Sequence, residues 1–287
     1  MLACSRPLPS HSLFPFLRPP PLSTVLVLTH TRSLQPPPTN LSPQTRCAVQ
    51  SVDPTTGTVS LHQGDNSTCY HRLYYYAQCF SNGKGPGRNS LRGQNPTHIE
   101  NVEANWTQPG QFYYDRAGGT IGYILRTGET VADLEATATT TAIETILVVN
   151  GSKNIKWDSV EFSYATWLGA SGPRGYIDTQ SGYLCQEGEP PTNIVIEGST
   201  DILFTSCTFK HLGAIYALGA GGASQGIIVS NSTFTDCSGG GVKLGSAGER
   251  GAPAPDPQLD PAKQDRGYLV SDNHFYNIKH PDRVLVS

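Results

Sequence analysis

The chain has 287 residues, a formal net charge of −3 and only 15% charged residues. A net charge this close to zero gives no indication of a basic surface for nucleic acid, so no nucleic-acid partner is predicted. Thirty glycines, a single methionine and few charges are typical of an all-β protein with many tight turns.

Residues 1–46 differ from the rest of the chain. They hold 10 of the 22 prolines and no acidic residue, so we expect a disordered segment without a packed core. Its apolar stretch, residues 22–29, is too short for a membrane span. The segment is a poor signal peptide, it also resembles an organellar transit peptide, and a mispredicted gene start is a third explanation. We favour a secreted protein, with organellar targeting as the alternative.

Residues 47–140 form a predicted β-rich module. Residues 48–52 and 58–61 are predicted strands on either side of the turn sequence PTTG at 54–57. Residues 111–124 (QFYYDRAGGTIGYI) predict a hairpin with a glycine-containing turn. This part lacks the repeat found later in the chain, so we interpret it as a separate module, joined to or inserted in the domain that follows.

A repeated pattern ending in phenylalanine marks the domain at residues 141–287. Four eight-residue segments share one pattern: an apolar residue, any residue, an apolar residue, two small or polar residues, a small or mid-sized residue, any residue, and Phe. These segments are residues 155–162, 202–209, 227–234 and 268–275. The phenylalanines are 47, 25 and 41 residues apart. The pattern predicts a solenoid, in which 25 residues make one coil and the longer gaps hold insertions at 165–192 and 246–266.

A third strand per coil completes the predicted fold. Residues 214–219 match residues 240–245 at an offset of 26, and no stretch has helical periodicity. Three short strands in about 25 residues favour a parallel β-helix over a β-sandwich with coincidental spacing. The four Phe side chains are predicted to stack inside the helix. A polar corner is predicted to stack Ser159, Ser206, Asn231 and Asp272.

Several motifs carry a family resemblance. They are residues 99–102 (IENV), 109–120 (PGQFYYDRAGGT), 164–172 (YATWLGASG), 175–176, 180–183 and 211–213. These segments resemble right-handed β-helix proteins similar to glycoside hydrolase family 141, over roughly residues 48–280. The resemblance implies a right-handed parallel β-helix of the pectate-lyase type with an inserted β module. It is less specific for activity, because the superfamily contains hydrolases, lyases, epimerases and non-enzymatic members.

The chain departs from that family at both ends. Family members have a coil before the β module and several coils after the point where this sequence stops. We therefore expect this sequence to be an internal part of a longer protein. The acidic residues proposed for catalysis in the family lie in the later coils, so no catalytic residue is carried over from the resemblance.

The column two places after each ladder Phe is the best chemical candidate in the sequence. It consists of Tyr164, His211, Asp236 and Asn277, with the His and the Asp about one strand spacing of 5 Å apart. Lys243, on the third strand of the coil that holds Asp236, is predicted to add a cation. Both insertions are predicted to follow the third strand and to rise over this same face. The alternative is that these residues only satisfy turn backbone groups.

Two reactions fit this column, and a sugar-binding role fits the first insertion. Glycoside hydrolysis needs two carboxylates: Asp236, and a second from Asp178, Glu187 or an absent coil. A lyase or epimerase needs a base, for which Lys243 or His211 is a candidate. Trp167, Tyr176 and Tyr183 in the first insertion offer aromatic faces for sugar rings, although they would equally pack the insertion onto the helix.

The sequence therefore predicts a carbohydrate-active protein, first a glycoside hydrolase or a fragment of one. A non-catalytic glycan-binding or surface module and a polysaccharide lyase or epimerase are the alternatives. A polysaccharide or oligosaccharide is the predicted partner, with no cofactor and no metal site, and the oligomeric state stays open. Five sequons, at Asn40, Asn66, Asn105, Asn150 and Asn231, matter only in a secreted chain. Among the seven cysteines, Cys69 and Cys79 are candidates for a disulfide and Cys207 for a small core residue.

Overall fold

A computed structural model describes residues 11–15, 25–29, 44–53, 55–56, 58–61, 98–115, 118–171, 190–245 and 264–278. The chain divides into two compact units: Met1–Ala138 with Gly169–Asp178 belong to the first, and Thr139–Leu168 with Thr179–Ser287 belong to the second. Within these residues, no helix is long and apolar enough to cross a membrane. Cys69 and Cys79 lie outside the described residues.

The first unit contains two antiparallel sheets. One has the order β1–β7–β6, made of His11–Pro15, Thr120–Ile124 and Phe112–Asp115. The other has the order β4–β3–β2–β5, made of Thr58–Leu61, Gln44–Asp53, Val25–Thr29 and His98–Glu100. A single 3₁₀ turn at Glu103–Asn105 separates β5 from β6.

The expectation of disorder throughout residues 1–46 needs correction, because β1, β2 and the start of β3 fall in that segment. Proline enrichment suggested a chain that cannot pack. However, β2 has the sequence VLVLT, which is rich in β-branched residues that favour strands.

Both hairpins predicted in this unit are confirmed. β3 pairs with β4 through Val52 opposite Val59. The turn between them begins at Asp53, whose carboxylate accepts the Thr55 N–H at 2.8 Å. β6 pairs with β7 through Asp115 opposite Thr120.

A short helix, α1, was missed by the periodicity argument. It spans Val131–Thr137 and begins with a capping box in which Thr130 accepts the Asp133 N–H and Asp133 accepts the Thr130 N–H. Seven residues are too few for an apolar stripe to repeat. The T-x-x-D pattern at its start was therefore the available signal.

The second unit is a right-handed parallel β-helix. Among the described residues it has three parallel sheets of four strands each. Sheet I contains β8 (Leu147–Asn150), β11 (Thr192–Glu197), β14 (Tyr216–Gly221) and β17 (Gly240–Leu244). Sheet II contains β9 (Lys153–Asp158), β12 (Thr200–Thr205), β15 (Gln225–Ser230) and β18 (Leu269–Ser271). Sheet III contains β10 (Glu161–Ala165), β13 (Thr208–Leu212), β16 (Thr233–Cys237) and β19 (His274–Ile278).

The predicted aromatic ladder forms the spine of sheet III. Phe162, Phe209, Phe234 and Phe275 occupy equivalent register positions on the four strands. Their ring centroids are 5.3, 4.3 and 4.7 Å apart in successive pairs, with interplanar angles of 12° or less. Phe209 and Phe234 are fully buried. Cys207 is also buried, as predicted.

The corner between sheets II and III is the predicted stack of Ser159, Ser206, Asn231 and Asp272. All four have φ between 49° and 59°, the left-handed region that small polar residues tolerate best among non-glycine residues. The stack is bonded across coils, since the Asn231 amide donates to the Ser206 hydroxyl at 3.1 Å.

Two sequence predictions about sheet I were wrong. The third-strand offset is 24 rather than 26, because Leu218 lies opposite Val242. A shift of two residues keeps the same faces inward, and apolar alternation alone could not distinguish the two registers.

The insertions also attach differently from the prediction. The first joins β10 of sheet III to β11 of sheet I, and the second joins β17 of sheet I to β18 of sheet II. They therefore do not both follow the third strand. Both attachment points nevertheless border sheet I, one where the chain enters it and one where it leaves.

Candidate functional site

The column predicted at the end of sheet III is present. Tyr164, His211, Asp236 and Asn277 each have φ between 51° and 62°, so each side chain leaves its strand from a left-handed residue. Such a conformation is uncommon for a tyrosine and costs backbone free energy of order 1–3 kcal/mol. The repeated corner geometry, rather than the residue type, imposes this conformation.

Within this column, His211 Nδ1 and Asp236 Oδ2 are 2.7 Å apart. The Tyr164 ring stacks on the imidazole with centroids 4.9 Å apart. On the same strands, Lys210 Nζ lies 2.8 Å from Glu161 Oε2, and this hydrogen bond lowers the pKa of the Glu161 carboxyl. The column is thus a partly exposed surface network of charges and hydrogen bonds.

A separate groove lies in the second unit and includes the outer face of sheet I. Its volume is about 350 Å³, within the range of small-ligand sites. By register, Val195 on β11, Gly219 on β14 and Lys243 on β17 are neighbours across this sheet. The residues lining the groove are Glu144, Thr145, Thr166, Trp167, Pro190, Pro191, Thr192, Val195, Ile196, Glu197, Ala214, Gly219, Ala220, Gly221, Gly222 and Lys243.

One side of the groove is built around a buried asparagine. The Asn193 amide nitrogen donates to the backbone carbonyls of Glu144 at 2.6 Å and Thr166 at 2.9 Å. Its amide oxygen accepts the Ala214 N–H at 3.0 Å. One side chain thereby joins three chain segments where the chain passes from sheet III to sheet I, and we call this the Asn193 corner.

Two further polar groups belong to this corner. Glu144 Oε1 accepts the Leu168 N–H at 2.6 Å, which orients the carboxylate. The Thr166 N–H donates to the Ile143 carbonyl at 2.9 Å. The Thr166 hydroxyl, in contrast, is buried and has no hydrogen-bond partner. An unsatisfied buried hydroxyl is unusual and calls for an explanation.

The other side of the groove carries Glu197 and Lys243. Glu197 is the last residue of β11 and is exposed. Its side-chain stem passes over Gly222, where an added Cβ would lie 3.5 Å from Glu197 Cβ. An added Cβ would make only an ordinary contact there, so glycine suits Gly222 because of its φ of 63°, in the left-handed region.

The structure divides the predicted site residues between two places. Trp167 and Lys243 line the groove, whereas Tyr164, His211, Asp236 and Asn277 form the column outside it. Lys243 lies on β17 of sheet I, whereas His211 and Asp236 lie on sheet III, because the chain turns from sheet III into sheet I between Asp236 and Lys243. Asp178, Tyr176, Tyr183 and Glu187 lie outside the described residues. The catalytic and binding roles assigned to these residues stay predictions.

Sequence reasoning missed Glu144, Thr166 and Glu197. Glu197 sits two residues after Val195 on an alternating strand, so strand alternation would have placed it on the outer face of sheet I. No comparable signal marks Glu144 or Thr166, which are outside the repeat. In the described part of the chain, no three His, Cys, Asp or Glu side chains are placed to hold a metal ion.

Comparison with known proteins supports the fold. No protein-family model and no curated protein matches the chain. A solved structure described as a glycoside hydrolase superposes on 90% of this chain with a TM-score of 0.62 and 18% sequence identity. The match covers 45% of that solved chain, so this chain spans less than half of its length. At this identity the likeness shows a shared architecture, and one architecture serves many activities.

Proposed function

We propose that the second unit binds a saccharide in the groove on sheet I and that the chain belongs to a carbohydrate-active protein. The observation that carries this proposal is the composition of the groove, in which Trp167 lies with Glu144, Glu197 and Lys243. A sugar ring offers an apolar face and a rim of hydroxyls, and an indole with a few charged groups complements both.

The surroundings of the groove support the same proposal. Its two bordering connections are the insertions predicted from the sequence, and both attach to sheet I. The resemblance to glycoside hydrolase family 141 and the solved glycoside hydrolase of like fold favour a sugar ligand over other small molecules. A secreted location is part of this proposal, since polysaccharides are mostly outside the cell.

Hydrolysis is a second candidate, favoured by the two carboxylates, Glu144 and Glu197, that line one groove. Glycosidases use one protonated and one ionised carboxyl on either side of the scissile bond. Lysis or epimerisation would instead use a base, for which Lys243 is a candidate among the residues that line the groove.

Isothermal titration calorimetry against a panel of neutral and uronate-containing oligosaccharides tests the binding proposal. Trp167→Ala and Lys243→Ala are expected to weaken binding at least tenfold. Lys156→Ala is the matched control, because Lys156 also projects from a β-helix strand but pairs with Asp158 on sheet II. The proposal fails if no oligosaccharide binds the intact chain, or if Lys156→Ala weakens binding as much as Lys243→Ala does.

Incubation of the bound oligosaccharide with the chain separates binding from hydrolysis. Release of reducing ends that is lost in Glu197→Gln would support hydrolysis at the groove. Release that survives both Glu197→Gln and Glu144→Gln would rule out these carboxylates as the catalytic pair.

A further inference from the structure

The outer face of sheet I continues past the groove onto β8. Sheet I has the order β17–β14–β11–β8, and residues of β17, β14 and β11 line the groove. On β8, Val149 is buried, so its neighbours Val148 and Asn150 point outward. Thr145, just before β8, already lines the groove. The groove and the outer side of β8 therefore border one another on the same face.

The strand register places the outward residues of β8 directly beside those of β11. Val148 lies opposite Val195, and Asn150 lies opposite Glu197. Register partners on neighbouring strands of a parallel sheet point to the same face and are about 4.8 Å apart. Two pairs therefore stand side by side, one of two valines and one of an amide next to a carboxylate. We call these four residues the β8 shelf.

The β8 shelf is open to solvent. Val148 is 61% exposed, the highest exposure of any large apolar side chain in the described part of the chain. Asn150 and Glu197 are exposed as well. Among the described residues, neither the Asn150 amide nor the Glu197 carboxylate has a hydrogen-bond or ion-pair partner. The shelf thus offers an apolar patch and unused polar groups at one place.

We propose that the β8 shelf binds a further sugar unit of the saccharide held in the groove. This inference rests on the saccharide-binding function proposed above. The apolar face of the sugar ring lies on Val148 and Val195. Its hydroxyls donate to the Glu197 carboxylate, and they donate to or accept from the Asn150 amide, which carries both kinds of group.

The shelf also sets the direction of the ligand. Lys243, Gly219, Val195 and Val148 are register neighbours on β17, β14, β11 and β8. This row crosses the strands and spans three strand spacings, about 14 Å. A saccharide that occupies both the groove and the shelf therefore runs along the axis of the β-helix. The ligand is a chain of several sugar units rather than a single sugar.

The length of the ligand tests the shelf. Calorimetry measures the affinity of the intact chain, Val148→Ser and Asn150→Ala for oligosaccharides of the binding series in the panel that differ by one unit. The protein is produced in bacteria, because Asn150 begins the sequon Asn-Gly-Ser and a glycan there would cover the shelf. In the intact chain, the unit that reaches the shelf is expected to raise the affinity about fivefold, as one net hydrogen bond does.

Both variants are expected to bind the shorter oligosaccharides within twofold of the intact chain and to lose the gain from the added unit. Val160→Ser is the matched control, because Val160 is another exposed valine of the same coil but lies between β9 and β10, away from sheet I. It should keep the full gain. A loss of the gain in Val160→Ser equal to that in Val148→Ser would overturn the shelf as the cause.

The outcomes separate this inference from the proposed function. If the intact chain binds and Trp167→Ala weakens binding, but affinity does not rise with length, the shelf is wrong and the groove stands. The same conclusion follows if Val148→Ser and Asn150→Ala weaken short and long ligands equally. If sedimentation shows that the intact chain self-associates and Val148→Ser does not, the shelf is a contact between copies and the inference is wrong. If no oligosaccharide binds, the proposed function fails and the shelf fails with it.

Discussion

When a single ring is removed from the aromatic ladder, the loss in free energy of unfolding should depend steeply on the position of that ring in the stack. Phe234 is fully buried, with ring centroids of Phe209 and Phe275 at 4.3 and 4.7 Å on its two sides. A buried aromatic ring hides about 200 Å², and about 25 cal/mol per Å² gives roughly 5 kcal/mol. Phe234→Ala is therefore expected to cost about 3–5 kcal/mol, as is usual for a buried Phe→Ala change.

Phe275 is the internal comparison, because it occupies the same ladder position on β19 but is 44% exposed. The Phe275 side chain buries only about half as much area as Phe234, so Phe275→Ala should lower the free energy of unfolding by about 2 kcal/mol. Urea unfolding followed by far-ultraviolet circular dichroism measures both variants. At about 2 kcal/mol per molar urea, the midpoint should fall by about 2 M for Phe234→Ala and about 1 M for Phe275→Ala. Equal falls in the urea midpoint, or a larger fall for Phe275→Ala, would refute the reasoning that burial in the stacked ladder stabilises the second unit.

Three further outcomes follow from the packing and the charges. Thr166→Val and Thr141→Val should each stabilise the ligand-free chain by about 1 kcal/mol, because each removes a buried hydroxyl without a partner; a fall in melting temperature for either variant would show that the hydroxyl has a partner. Burial raises the pKa of the Cys237 thiol to about 12. The neutral buried thiol therefore contributes fully to the free energy of unfolding below about pH 9, and this contribution is lost as the pH rises toward 12. Mass-spectrometric mapping after iodoacetamide treatment at pH 8 should find Cys237 unlabelled in the folded chain and labelled in urea, and rapid labelling without urea would contradict its burial. His211→Ala should cost about 1–2 kcal/mol through the lost Asp236 contact but leave saccharide affinity within twofold, and calorimetry showing a tenfold loss would place the column in the binding site.

Repetition explains which parts of the fold could be predicted. The Phe ladder and the Ser159–Asp272 corner stack were predictable because identical sequence patterns fall at equivalent positions in successive coils. Strand alternation likewise fixed which residues face inward. It could not fix the register of sheet I, since offsets of 24 and 26 place the same residues inside.

The Asn193 corner of the groove was harder to predict because part of it lies outside the repeat. Glu144 precedes the first strand of the β-helix, and Thr166 follows the last strand of its first coil. Asn193, a residue of the next coil, bonds to the backbone carbonyls of both. Lys243 was added to the site because it shares a coil with Asp236, but the chain turns onto a different sheet between them. Proximity along a solenoid coil is therefore a poor guide to which face a side chain joins.

Chemical-shift mapping by nuclear magnetic resonance tests the central claim most directly. The isotope-labelled chain would be titrated with the oligosaccharide that binds most tightly, and backbone amide shifts would be followed residue by residue. The account predicts the largest changes on the groove at Trp167, Val195, Gly219 and Lys243, with little change at Tyr164, His211 and Asn277. Changes concentrated on the latter three residues, or spread evenly over both units, would contradict it.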